Sequence, residues 1–320
     1  MIRRRFLQSI VVCAGTGPWL AGCTRPIEPL RFGANLWPGY APLRLAAANG
    51  LIGPDRLRVL DFPSASMVLS AFRNGSIDAA GLTLDEALVL AANDQSPRII
   101  LVFDFSDGAD VILAQPGITS IAELKGRRIG VETEALGAYM IGRALARVGL
   151  PLSEVELVSV PFDRHEASFT SRQIDALVTF DPVRTRLLAA GANEVFSSRS
   201  IPGEIVDVLV VRDSLLHSRR ADLAALVAAH FTAREAMLAD PSAAAARLGA
   251  RLGLDANEFI AALERIRVPG LDENRRLLGA GAQGLMPVLM EMSAVMRALG
   301  LIDETPSLSD MLVPDLIGGG

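Results

Sequence analysis

Short apolar runs alternate with longer amphipathic stretches along most of the chain. Apolar runs at Leu30–Leu36, Leu57–Phe62, Ile77–Leu82, Ile99–Phe105 and Val111–Gln115 predict strands, as do Arg128–Val131, Val155–Val160, Ala176–Phe180, Glu194–Ser197 and Val206–Arg212. Between them, helix-like spacing of apolar residues predicts helices over Pro42–Asn49, Ala65–Asn74, Leu84–Asn93, Gly137–Val148, Arg164–Arg172 and Pro182–Gly191, several closed by Asn-Gly, Gly or Pro. Strand-helix-strand alternation predicts an α/β architecture with largely parallel sheets. After Arg212 only helical patterns follow, at Ala221–Ala239, Pro241–Leu252, Ala256–Ile266 and Leu285–Leu299. No repeat of solenoid period is present.

A chain of 320 residues has room for about two compact units. Two apolar segments, Ala109–Gln115 and Val206–Arg212, read as crossings between lobes. The expected organisation is a discontinuous first lobe, 30–112 with 213–320, around a second lobe, 113–212, with hinge strands at its ends. Such lobes leave a cleft at the carboxyl ends of their sheets, where loops and helix N-termini converge, and the cleft closes by hinge motion.

The N-terminus reads as an address. Arg3-Arg4-Arg5 precedes a short apolar stretch, Phe6 to Leu20, interrupted by Gly15, Gly17 and Pro18. It is too short and broken for the roughly 20 apolar residues of a permanent span. A charged start, a short apolar centre and small residues at the end make 1–22 an expected signal peptide. Leu20-Ala21-Gly22-Cys23 resembles a bacterial lipobox, which implies that Cys23 becomes the first mature residue and carries lipid. Arg3-Arg4-Arg5-Phe6-Leu7 resembles a twin-arginine export signal. Cys13 falls in the removed segment, so the mature chain has no internal disulfide. The alternative for Cys23 is a free thiol after ordinary cleavage.

Composition narrows the possibilities. With 50% hydrophobic residues the chain folds around a core, and it is neither disordered nor collagenous. Net charge is −5 and becomes −8 once 1–22 is removed, because three arginines and no acids leave. No basic block lies beyond the first five residues, so nucleic acid is not an expected partner.

Four ordered motifs then become specific. Asn35-Leu36-Trp37-Pro38-Gly39-Tyr40-Ala41-Pro42-Leu43 is followed by Phe72-Arg73-Asn74-Gly75-Ser76-Ile77-Asp78-Ala79-Ala80. Ser120-Ile121-Ala122-Glu123-Leu124-Lys125-Gly126-Arg127-Arg128-Ile129-Gly130-Val131 comes next, and Arg172-Gln173-Ile174-Asp175-Ala176 echoes the second motif. Together they resemble periplasmic substrate-binding proteins of ABC importers, in the group that binds nitrate, sulfonates, taurine and the pyrimidine precursor of thiamine. The resemblance runs from Leu30 to Arg212. It implies a type II periplasmic binding protein fold, with two α/β lobes joined by two crossover strands, and a small-molecule ligand held between them.

The loops at predicted strand ends supply candidate ligand contacts. Trp37 and Tyr40 can sandwich a flat or cationic ligand, or they can be lobe packing. Ser64 and Ser66 precede a helix, as caps or as part of a polar site at its N-terminus. Thr83 is a cap or a donor to ligand, and Asp85 a helix-dipole partner or a ligand contact. Asp107 sits at the expected hinge. Glu132, Thr133 and Gly137 lie between a strand and a helix, where the resemblance implies contacts through backbone amides and a small residue. Asp181 ends a strand. Each acid alone can be a solvated charge. Jointly, Asp85, Asp107, Glu132 and Asp181 converge from loops that hold no arginine or lysine, whereas oxyanion sites usually recruit an arginine. The balance favours an amine-bearing or heteroaromatic ligand over nitrate or a sulfonate.

No catalytic site is expected. His165, His217 and His230 share no metal-type spacing, and no nucleophile elbow or P-loop is present. A related pyrimidine-precursor synthase would need a Schiff-base lysine and a cysteine-rich motif, but Lys125 is the only lysine and lies in a predicted turn. The expected function is therefore a lipid-anchored solute-binding protein in the periplasm or cell envelope. It would act as a monomer without cofactor or metal, delivering its ligand to an inner-membrane ABC permease. The alternative is a ligand sensor that reports cleft closure to a membrane signalling protein.

Overall fold

The computed structural model describes residues 28–132 and 136–317. The expected signal peptide, Cys23 and Thr133 lie outside the described residues. The first half comprises β1 (Leu30–Ala34), α1 (Ala41–Ala48), β2 (Leu57–Asp61), α2 (Ala65–Arg73), β3 (Ala79–Thr83), α3 (Leu84–Ala92) and β4 (Pro97–Ser106). It continues through β5 (Val111–Ala114), β6 (Arg128–Val131), α4 (Leu136–Ala146), β7 (Glu156–Ser159), α5 (His165–Thr170), β8 (Ala176–Thr179), α6 (Val183–Ala189) and β9 (Asn193–Ser197). The remainder is β10 (Val206–Arg212), α7 (Leu215–Ser218), α8 (Arg220–Ala239), α9 (Pro241–Leu248), α10 (Ala256–Leu263), β11 (Ile266–Arg267), α11 (Leu271–Leu278) and α12 (Met286–Ala298).

These strands form a six-stranded sheet ordered β11-β4-β10-β3-β1-β2 and a five-stranded sheet ordered β7-β6-β8-β5-β9. Only part of each sheet is parallel, which corrects the expectation from alternation. β1 runs parallel to β2 and β3, and β6 parallel to β7 and β8. The strands that follow a crossing enter in the opposite sense: β10 is antiparallel to β3 and β4, and β5 to β8 and β9. The outward crossing is the turn 107–110, and the return lies between Ser197 and Val206. Val206–Arg212, expected as a hinge strand closing the second lobe, is instead an interior strand of the first sheet. A strand buried on both faces reads in sequence like any other apolar run. β11, α7 and α11 were not foreseen, being two residues long, four residues long and strongly polar.

The two sheets repeat one device. Arg31 donates from its backbone N–H and Nε to Asp78 Oδ2 (2.9 Å each) and from Nη2 to the Gly75 carbonyl (2.9 Å). Arg128 does the same to Asp175 (2.9 and 3.3 Å) and to the Arg172 carbonyl (2.9 Å). The aspartate of each I-D-A motif thus ties the start of one strand to its neighbour. The isoleucine before it fills the space over a strand glycine: a Cβ on Gly33 would lie 2.7 Å from Ile77, and one on Gly130 would lie 2.6 Å from Ile174.

The helices after β10 belong with the first sheet: α8 lies along α1, α11 on β4 and α12 on α3. The main core runs through both sheets. The outer face of the second sheet makes a smaller core of its own, where Val111, Leu113 and Leu177 meet α5 and α6. Among the described residues, no helix is long and apolar enough to cross a membrane.

Candidate functional site

A cavity of about 40 Å³ lies between the two sheets, where their loops face each other. That volume holds a few water molecules, so a larger guest requires the walls to move apart. One wall is Asn35, Trp37, Tyr40, Thr83, Glu86 and Asp207; the other is Asp110, Glu132, Gly137, His165, Thr179 and Phe180. No arginine or lysine lines it among the described residues.

The first wall grows out of the turn after β1. Trp37 and Tyr40 are both buried, and each is tied to an acid in the sheet behind. Trp37 Nε1 donates to Asp104 (3.1 Å to Oδ2), and the Tyr40 hydroxyl donates to Asp207. Those two acids stand directly opposite each other on β4 and β10. Gly39 makes the arrangement possible, since a Cβ there would lie 1.7 Å from Asp104 Oδ2. Arg44 is buried behind the turn, where it donates to the Asn35 carbonyl (2.6 Å) and pairs with Asp61 (3.1 Å), so its charge is answered away from the cavity.

Besides Asp110 and Glu132, the second wall carries an aromatic ring and a neutral imidazole. Phe180 meets the Trp37 edge at 5.3 Å across the gap and stacks on Phe162 at 4.2 Å. His165 Nε2 faces the Val160 carbonyl and Nδ1 faces the Thr179 hydroxyl, both at 3.1 Å. A carbonyl can only accept, so Nε2 carries the proton and Thr179 donates to Nδ1. Burial pushes this imidazole down to about 4, so it brings no positive charge at neutral pH.

Carboxylates dominate what remains. Burial raises Asp104 to about 8, Asp110 to about 7 and Asp85 to about 6, and it lifts Glu86 and Asp207 well above the carboxylate range. Their mutual repulsion pushes the same way. Glu132, at the end of β6, is raised to about 7 by burial, although the Ser64 hydroxyl and the backbone of Phe162 and Ala65 partly hold it down. Asn35 Oδ1, Asp85 Oδ1, Asp110 Oδ2 and Glu132 Oε1 are buried without a hydrogen-bond partner. Buried acids left in this condition cost stability and mark a site built for something else.

Of the expected residues, Trp37, Tyr40, Thr83, Glu132 and Gly137 line the cavity, and Asp85 is buried at the start of α3 behind it. Gly137 is needed for close approach, as a Cβ would lie 3.0 Å from Val131. Ser64 caps α2, accepting from the Met67 N–H at 3.3 Å. Ser66 lies outside, half-buried in an open groove shared with Glu132. Two expected members belong elsewhere. Asp107 is exposed at the crossing and pairs with exposed Arg199 at 3.5 Å. Asp181 is buried, but it accepts from Thr185 N–H and Oγ1 (3.1 and 2.7 Å) and meets Arg265 at 3.4 Å. Both arginines come from distant segments, which loop composition does not reveal. Sequence reading missed Asn35, Glu86, Asp104, Asp110, His165, Thr179, Phe180 and Asp207 as site residues. A usable signal was Asp104 and Asp207, lone acids inside apolar strand runs.

Comparison with known proteins places this geometry. The two-lobed α/β architecture is the periplasmic binding protein fold. It matches the periplasmic aliphatic sulphonate binding protein SsuA from Escherichia coli with a TM-score of 0.74 at 18% identity, over 91% of this chain and 99% of that chain. The desulfurization enzyme DSZB shares the fold at TM-score 0.64 and 18% identity, over 91% of this chain and 98% of that one. The NMT1-like family matches residues 24–252, and the chain belongs to that family. A protein of Brucella abortus (strain 2308) named as a binding protein is 30% identical over 161 residues, 48% of this chain and 49% of the relative. The chain thus spans about half the length of the curated relatives it matches.

Proposed function

We propose that this protein is the solute receptor of an ABC importer, capturing a small amine-bearing or heteroaromatic cation between its lobes and passing it unchanged to an inner-membrane permease. The observation that carries the reading is the cavity itself. Acids from both lobes and the rings of Trp37, Tyr40 and Phe180 face one space that no arginine or lysine lines among the described residues. A cation there favours the ionised forms of Asp110 and Glu132 and lies beside the rings of Trp37 and Phe180, at about 0.5–2 kcal/mol per ring contact. An oxyanion would face those same acids with no arginine fork. The family and the fold of the sulphonate-binding neighbour support the receptor role, while the cavity chemistry departs from anion binding. Ligand contacts to both walls favour the closed state by their differential affinity. In this reading the lobes are 30–110 with 206–320 and 111–205, the chain works as a monomer in the periplasm, and lipid on Cys23 holds it at the membrane.

The fold shared with DSZB and the Thr179–His165 pair support a second, enzymatic reading, with His165 as base toward the Thr179 hydroxyl. An imidazole held near 4 is a poor base at neutral pH, so the receptor reading is preferred. Thermal-shift measurements on the purified protein with amines, aminopyrimidines, sulfonates and nitrate test the proposal. Stabilisation by cations supports it, and stabilisation by sulfonates alone overturns the choice of charge.

A further inference from the structure

We infer that the occupant of the cleft is a planar cation carrying several N–H donors, of the amidinium or guanidinium type, because three buried acceptors of the described cavity walls, drawn from both sides, have no partner. This rests on the receptor reading and specifies how its ligand bonds.

The donors can be followed one by one. The Trp37 N–H goes to Asp104, the Tyr40 hydroxyl to Asp207, the Thr179 hydroxyl to His165, and the His165 N–H to the Val160 carbonyl. The Thr83 hydroxyl is buried without a partner and is left open. Among the described lining side chains, the Asn35 amide and the Thr83 hydroxyl are left as donors, fewer than the open acceptors.

The acceptors remain open. Asn35 Oδ1, Asp110 Oδ2 and Glu132 Oε1 all belong to cavity-lining residues and have no partner, and Asn35 and Asp110 are more than nine-tenths buried. They come from both sides of the gap: Asn35 follows β1 of the first sheet, Glu132 follows β6 of the second, and Asp110 ends the crossing between them. A ligand satisfying all three must donate in at least three directions. Delocalised amidinium and guanidinium groups do so in one plane. A quaternary ammonium carries the same charge but no donor, so it would leave every acceptor unpaired. A cation arriving next to Asp110 and Glu132 also favours their ionised forms, which strengthens each bond.

The test compares two cations of equal charge and similar ring size by isothermal titration calorimetry on the purified protein: benzamidinium and phenyltrimethylammonium, with acetamidinium as a small control. Benzamidinium is expected to bind at least tenfold more tightly than phenyltrimethylammonium. Asp110→Asn and Glu132→Gln should each weaken benzamidinium about tenfold while leaving the difference between the two cations smaller than in the parent. Equal binding of both cations overturns this inference and leaves the cation receptor standing. Binding of neither cation, with a sulfonate bound instead, overturns both. Should a variant fail to fold, the parent protein's preference between the two probes decides alone.

Discussion

Replacing Asp104 with Asn gives a direct measure of what the acid cluster costs. Asp104 is fully buried on β4, opposite Asp207, with Asp110 adding repulsion, and its stabilising contact is the Trp37 N–H. Folded, it titrates near 8, whereas in the unfolded chain it titrates near 3.9. The folded state therefore keeps a proton that the unfolded chain releases between about pH 4 and pH 8. The stability this group contributes is fully present below about pH 4 and is lost as pH rises through 8. At about 1.36 kcal/mol per pH unit the upper limit is roughly 6 kcal/mol. Coupling to Asp207 and relaxation reduce this to on the order of 2 kcal/mol. Asparagine is neutral at every pH and its Oδ1 still accepts from Trp37. Urea unfolding of parent and Asp104→Asn should therefore give nearly equal stabilities at pH 4.5 and a variant about 2 kcal/mol more stable at pH 8. At this chain length that is several degrees in Tm. A difference that does not change with pH would refute burial and repulsion as the source of the penalty.

Other perturbations probe the same wall. Gly39→Ala forces a Cβ to within 1.7 Å of the Asp104 carboxyl and should cost about 2 kcal/mol or more, measured by urea unfolding. Trp37→Phe removes the N–H that Asp104 accepts, so it should lose about 2 kcal/mol at pH 8 and steepen the decline of Tm with pH. Arg265→Ala leaves Asp181 bonded to Thr185 and should cost only about 1 kcal/mol of basal stability. Because that ion pair joins the turn before α6 to the segment before β11, calorimetry should also show benzamidinium binding weakened several-fold in this variant.

Much of the scaffold was legible because period-2 and period-3.6 patterns report burial directly. The bounds of Arg128–Val131 and Val206–Arg212 match the observed strands residue for residue. Strand direction was not legible, since an apolar run such as Val206–Arg212 looks alike whichever way it enters a sheet. In the site, Trp37-Pro38-Gly39-Tyr40 stood out because aromatics are scarce and the turn residues explicit. Asp107 and Asp181 misled because their arginines, Arg199 and Arg265, lie 92 and 84 residues further along. Asp104 and Asp207 passed unnoticed inside strands, where an isolated acid carries a large desolvation cost and is more informative than an acid in a loop.

The most direct test of cation capture is native mass spectrometry of the protein purified gently from its own host, with the co-purifying small molecule released and identified. A molecule positively charged at neutral pH and bearing N–H groups is the expected result. A bound sulfonate, nitrate or other anion would contradict it.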